Sequence, residues 1–236
     1  MLEAQPRPEA RVEEPKVKQQ LLGRSTVRQV IFHTSNRVAR VLIKPIATIQ
    51  VPPISLPSLD RGLIIATNHR SMLDAFVGLI VLHEWNVYPR VLVRADFCRM
   101  LIIGGVLKRL GAIPADRVGG GTEQASRELS AGAVLVIAPE GRITLPKERT
   151  KGIGNIKPGI GHIAIVHGTP VLLVALLNTD VCWPRGRLFP YIRFNRNERP
   201  DIRISTRIVD VATAASAESV VEQVRAGFTE LLLASS

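Results

Sequence analysis

The sequence predicts an α/β domain: a mostly parallel sheet flanked by helices. Short apolar runs rich in β-branched residues recur at 62–67, 90–94, 112–115, 133–138 and 170–177, and helical periodicities fill the intervals at 72–84, 98–110, 122–131 and 156–167. Parallel strands need such crossovers, because no short turn can join them. The bulk numbers agree. A chain of 236 residues that is 46% hydrophobic can bury a sizeable core and is not globally disordered.

Taken in order, residues 1–20 are polar, with three prolines and mixed charge, and read as a mobile tail. The remainder, 21–236, reads as one domain, since no linker divides it. Over 26–44 the pattern turns helical, with Val27, Val30, Ile31, Val38, Val41 and Leu42 at three- and four-residue spacings. Arg28, Arg37, Arg40 and Lys44 interrupt them, and Pro45 ends or kinks the helix. A basic amphipathic segment of this kind, 26–46, suits either a membrane surface or packing on the domain with a solvated basic face. The alternating core elements follow. Near the end, "YIRF" and "DIRISTRIV" flank "NRNERP" and predict a hairpin. A last helix starts near Ser216 and should bury Val220, Val224, Phe228 and Leu231.

The formal net charge of +11 favours anionic partners: nucleic acid, anionic lipid or an acidic carrier protein. Nucleic acid fits poorly, because aromatics make up only 4% and no basic stripe interleaves with them. Cys98 and Cys182 match no metal or disulfide framework and read as reduced thiols of a cytosolic protein. The five histidines show no H-x-x-x-H or H-E-x-x-H cluster, so no metal is expected. No leader with an apolar centre is visible, and no charge-free apolar stretch is long enough to span a bilayer. The glycines of "KGIGNIKPG" lack the dinucleotide spacing.

The chemistry-bearing stretch is "LIIATNHRSMLDAF", from Leu63 to Phe76. A predicted strand stops at Asn68-His69-Arg70-Ser71, and a helix follows. Ligand sites of α/β sheets lie beyond the carboxyl ends of strands. Asn68 or Ser71 can cap the helix. Asp74, one turn into it, can reach back to one nitrogen of His69, which fixes the tautomer and raises the basicity of the other nitrogen. A general base and a plain capping pair both fit this spacing. Two more strand ends carry polar residues on the same sheet edge: Asp116-Arg117 in "GAIPADR" and Glu140-Gly141-Arg142 in "VLVIAPEGRIT". Arg117 and Arg142 suit a forked phosphate site.

These blocks, with "GTPVLLVAL", occur in the order of the four blocks of the lysophospholipid acyltransferases, the superfamily of glycerophosphate and acylglycerophosphate acyltransferases. The resemblance covers roughly residues 60–177. It implies a glycerolipid-acyltransferase-like fold, His69 as general base and Asp74 as its orienting partner. It further implies that Arg117, Glu140 and Gly141 contribute to acceptor and phosphate binding, and that Pro170 lies in the block assigned to acyl binding or structure. Arg142 directly follows Gly141, where the usual third block has a small residue between them. That version resembles the branch that reacylates lysophosphatidylethanolamine and puts lysophosphatidic acid in doubt as acceptor. Lys157 falls where family members often carry a basic residue.

The implied reaction moves a fatty acyl group from a thioester, on coenzyme A or an acyl carrier protein, to a hydroxyl of a lysophospholipid or glycerol-phosphate-type acceptor. It needs neither cofactor nor acyl-enzyme. Parts of 72–82 and 100–110 would line an acyl tunnel, and the enzyme would be cytoplasmic and peripheral on an anionic membrane. Alternatives remain: a specialised non-glycerolipid alcohol or amine as acceptor, or an acyl thioesterase or lipid hydrolase. No G-x-S-x-G elbow accompanies Ser71 to support a serine nucleophile.

Overall fold

The computed structural model describes residues 26–57, 62–116, 120–149 and 152–234. The tail at 1–20 and Arg117 lie outside the described residues. The strands are β1 (Thr48–Ile49), β2 (Leu63–Thr67), β3 (Arg90–Arg94), β4 (Ala112–Ala115), β5 (Val134–Ile137), β6 (Val171–Leu177) and β7 (Asp201–Val209). The helices are α1 (Thr26–Ile43), α2 (Leu73–Glu84), α3 (Ala95–Arg99), α4 (Leu101–Arg109), α5 (Thr122–Ser130), α6 (Gly159–His167), α7 (Thr179–Cys182) and α8 (Ala217–Ala234).

The strands form one sheet in the order β1-β7-β6-β2-β5-β3-β4. All pairings are parallel except β6 with β7. The central strands are buried on both faces, which is why they read as nearly continuous apolar runs. Alternate residues serve opposite cores. Ile64, Ala66, Leu135 and Leu173 face α5, α6 and α8, whereas Leu63, Ile65, Val134 and Leu172 face α1 and α2.

Four expectations change. The hairpin is absent: 191–194 has no strand, and β7 pairs antiparallel with β6, Val171 opposite Val209 through Leu177 opposite Arg203. The burial of β6 explains this, since its backbone needs partners on both sides. The helix expected at 98–110 is two helices joined at an extended Met100, and at Gly104 any side chain would strike the Cys98 carbonyl. α6 starts at Gly159, three residues late, after Pro158. In α8 it is Leu232, not Leu231, that is buried beside Val220, Val224 and Phe228.

The helix over 26–44 is present as α1, and it carries two apolar stripes. Phe32, Asn36, Ala39 and Ile43 are buried against α2 and the sheet, while Val27, Val30, Val38, Val41 and Leu42 stay exposed. Arg28 turns inward. Its guanidinium donates to the carbonyls of Leu110, Tyr88 and Pro89, and burial together with nearby Arg90 lowers its pKa to about 10. No described helix is long and apolar enough to cross a membrane.

Candidate active site

β2 and β5 are neighbours, and both point their carboxyl ends the same way. The loop 68–72 after β2 and the loop 138–145 after β5 therefore meet. The His69 backbone is held from both sides of this junction. Its N–H donates to the Glu140 Oε1 at 2.8 Å, and its carbonyl accepts from the Thr144 N–H at 2.9 Å. Asn68 latches the same loop to β6: its Nδ2 donates to the Leu176 carbonyl at 2.9 Å, and its Oδ1 accepts from the Leu176 N–H at 2.7 Å. A side chain 1% exposed thus satisfies its donor and its acceptor on one backbone unit.

Asp74 is 5% exposed, and three donors converge on its Oδ2: the His69 Nδ1 at 2.9 Å and the N–H groups of Arg70 and Ser71 at 2.6 and 2.8 Å. Because that oxygen already accepts two backbone protons, the histidine contact also has to be a donation, which puts the imidazole proton on Nδ1 and leaves a lone pair on Nε2. Ser71 completes a reciprocal cap of α2. Its Oγ accepts from the Leu73 N–H at 3.0 Å while Asp74 receives the Ser71 N–H. Capping and orienting, which compete as readings of the spacing, are thus both done by one carboxylate. His69 keeps 28% of its side chain exposed, so its free edge is open to a reactant.

The third block lines a small cavity beside this loop, formed by Glu140, Gly141, Arg142, Thr144, Asn155 and Lys157, with Glu148 at its side. Gly141 has φ +67°, and a side chain there would meet the Lys157 ammonium arm, so glycine keeps the cavity open. Arg142 pairs with Glu148 at 3.1 Å. The Leu145 N–H and Arg142, with Arg185 and Lys147, hold the Glu148 carboxyl below its usual value. Both Glu140 oxygens are occupied by backbone amides, since Oε2 accepts the Gly154 N–H at 3.2 Å. Glu140 thus ties the His69 loop to Gly154 while also lining the cavity. Arg117 lies outside the described residues, and Asp116 before it directly follows β4, at the far edge of the sheet from β1.

Sequence reasoning passed over Arg149, 10% exposed in its side chain, which donates to the Thr144 carbonyl and pairs with Asp180 at 2.6 Å. It also missed Trp183, whose carbonyl accepts the Ser71 hydroxyl at 2.7 Å and whose ring stacks on Phe76. Neither carries a local signal, because both act through long-range contacts. The segments expected to line an acyl tunnel, 72–82 and 100–110, fall largely on α2 and α4. Gly78, Val81, Leu82 and Trp85 line an apolar crevice with Ile65 and Val174 of the sheet. α4 lies outside that crevice and leaves Leu101, Ile103 and Val106 exposed. Among the described residues no cluster of histidine, cysteine or acidic side chains fits a metal ion.

A family model for acyltransferases matches residues 30–177. No curated protein sequence matches the chain. Among solved structures, the fold is similar to that of the 1-acyl-sn-glycerophosphate (LPA) acyltransferase PlsC from Thermotoga maritima. The TM-score is 0.70 at 18% identity, covering 92% of this chain and 85% of that one.

Proposed function

The chain belongs to the acyltransferase family, and on that premise we propose that it transfers a fatty acyl group from a thioester to a hydroxyl of a lysophospholipid or glycerol-phosphate-type acceptor, with His69 as general base. The observation that carries this reading is the His69–Asp74 pair, with its proton on Nδ1 and Nε2 left open. Nε2 removes the acceptor's hydroxyl proton as that oxygen attacks the thioester carbonyl. The tetrahedral intermediate then expels the thiolate, which takes the proton back from the imidazolium. Charge on the imidazolium is compensated by Asp74 beside it. The acceptor is itself the nucleophile, so no acyl-enzyme forms.

The cavity of Arg142, Lys157 and Asn155 supports an anionic head group next to the His69 loop. The apolar crevice of about 30 Å³ between α2 and the sheet, lined from Thr67 to Trp85, supports an acyl chain lodging there once its walls part. The donor is acyl-CoA or an acyl carrier protein. The outward face of α1, where Val30, Val38 and Val41 are exposed on a helix that also carries Arg37 and Lys44, supports peripheral attachment to an anionic membrane on the cytoplasmic side.

The test is to incubate the purified protein with acyl-CoA or acyl carrier protein and a panel of lysophospholipids, glycerol phosphate and neutral alcohols, and to identify products by mass spectrometry. A new ester on a phosphorylated acceptor, absent with His69→Ala, supports the reading. Release of free fatty acid alone makes the protein a thioesterase, and preference for a neutral alcohol or amine makes it a tailoring acyltransferase.

A further inference from the structure

The segment between α7 and β7 does not form the expected hairpin strand, and its composition is unusual for a surface loop. Residues 184–199 hold five arginines against one glutamate. They also display Leu188, Phe189, Ile192 and Phe194 at 79%, 70%, 57% and 93% exposure. Single exposed apolar residues need no explanation, but four large ones within seven positions do.

The loop is built rather than slack. The Tyr191 N–H donates to the Cys182 carbonyl at 2.9 Å, and the Trp183 indole donates to the Arg187 carbonyl at 3.0 Å. Arg199 donates to the carbonyls of Arg193 and Phe194, fixing the turn that holds the Phe194 ring out. The Arg187 guanidinium lies 4.1 Å from the centre of the Tyr191 ring. Backbone groups of Arg187, Tyr191, Arg193 and Phe194 are thus held by hydrogen bonds while the large apolar side chains stay exposed, an arrangement that water alone does not favour.

Its roots are at the active site. The Trp183 carbonyl accepts the Ser71 hydroxyl, two residues from His69, and Arg185 donates to the Ile143 carbonyl at 2.9 Å, next to Arg142. On its other side the Arg193 N–H donates to the Pro45 carbonyl at 2.9 Å, at the end of α1 where Val41 and Leu42 are exposed.

We propose that residues 184–199 form an interfacial wedge that seats the mouth of the active site on an anionic lipid bilayer, with Leu188, Phe189, Ile192 and Phe194 entering the acyl boundary and the exposed Arg187 and Arg196 meeting head-group phosphates. Charge complementarity and the exposed aliphatic and aromatic tips select this partner together. An acidic protein surface would match the arginines but not Phe194 and Leu188. A bilayer matches both, as amphipathic interfacial elements do. The wedge extends the surface offered by α1 and brings it to the segments that carry His69 and Arg142. The inference does not depend on the acyl acceptor, because its readout is binding without turnover.

The experiment is flotation of the full chain with vesicles of phosphatidylcholine alone and of equimolar phosphatidylcholine and phosphatidylglycerol. The double variant Phe189→Ser/Phe194→Ser should bind the anionic vesicles at least about tenfold more weakly, from the apolar area no longer buried. Arg187→Gln/Arg196→Gln should lose about tenfold as well, and that difference should shrink at high salt. The four positions are exposed, and near-ultraviolet circular dichroism checks that the fold is kept. In a Phe194→Trp variant, the added indole should shift to the blue on vesicles and be quenched by brominated acyl chains. Unchanged flotation of both double variants overturns the proposal, as does an indole at 194 that stays in water in the bound state. If vesicle binding is unchanged and only affinity for an acidic acyl carrier protein falls, the loop docks protein and the lipid assignment is wrong.

Discussion

One oxygen of the Glu140 carboxylate accepts the backbone N–H of His69 at 2.8 Å, and the other accepts that of Gly154 at 3.2 Å. A buried acid thus ties the backbone of His69 to that of Gly154. Glutamine at this position turns one acceptor into a donor facing an N–H. Glu140→Gln should therefore cost about 1–3 kcal/mol of stability and lower kcat roughly 10–100-fold through misplacement of His69. Urea midpoints and steady-state kinetics measure both. A variant with normal kcat and stability but a raised acceptor KM would return Glu140 to direct acceptor contact.

His69→Ala should lower turnover about 10²–10⁴-fold, the usual contribution of a general base, with the folded state intact because the imidazole is partly exposed. Asp74→Asn should behave differently. Its Oδ2 caps α2 as well as holding the imidazole, so it should lose stability by about 1–3 kcal/mol in addition to rate. Thermal melts beside kcat separate the two roles. Equal stability of both variants would reduce the cap to a minor contact.

How much of this was legible varies with the range of the interaction. The parallel strands were, because burial on both faces leaves nearly pure apolar runs such as "VLLVALL" of β6. The pairing of β7 was not. "DIRISTRIV" reads equally well against "YIRF", and only the unfilled edge of β6 decides between them. The periodicity of 26–44 showed a helix but not which face packs, since α1 has one apolar stripe for the core and another left outside. In the site, His69 and Asp74 are close in sequence and could be paired by spacing. Glu140 and Asn68 act on backbone groups between 14 and 108 positions away, and Arg149 pairs with Asp180 31 positions on, so no local pattern encodes them.

The exposed cluster linking α1 to α2 should make stability fall on mild acidification. The Tyr88 hydroxyl and His33 Nε2 lie 3.0 Å apart, His33 Nδ1 and His83 Nε2 lie 2.9 Å apart, and the His83 ring stacks on Phe32. Burial, then His33 and Arg40, lower the His83 pKa, with Glu84 opposing. The unfolded chain therefore binds this proton more tightly than the folded one. The contribution is complete above the unfolded value of about 6.5 and is lost as pH falls below it towards the folded value. His83→Gln should flatten the pH dependence of the urea midpoint in that window. An unchanged slope would leave the loss to other groups.

Gly78 should set the length of acyl chain used. It lies on α2 in the wall of the apolar crevice, and a Cβ built there meets no atom within 4 Å. Gly78→Ala should stabilise the helix by up to about 1 kcal/mol and leave transfer unchanged. Gly78→Leu should fill the crevice and shift kcat/KM towards shorter acyl donors. Competition between donors of different length in one reaction reads the shift directly. An unaltered profile with Gly78→Leu would put the acyl chain elsewhere.

The acceptor's anion should be held by Lys157 more than by Arg142. Both line the cavity beside the His69 loop, but Arg142 already pairs with Glu148 at 3.1 Å. The Lys157 arm lies over Gly141, where no side chain competes for the space. Removing a cation that meets a phosphate typically costs about 1.5–3 kcal/mol, or roughly 10–100-fold in kcat/KM. Lys157→Met should show that loss when the phosphorylated acceptor is varied, with the donor's KM nearly unchanged. Arg142→Lys keeps its charge but loses the planar fork, so its effect should be smaller and fall on the acceptor as well. A phosphate-free alcohol should be a poor acceptor for the wild type and insensitive to Lys157→Met, because it has no charge to place in the cavity. If Lys157→Met instead raises only the donor's KM, the cavity binds the thioester's carrier, and the acceptor enters from another side of His69.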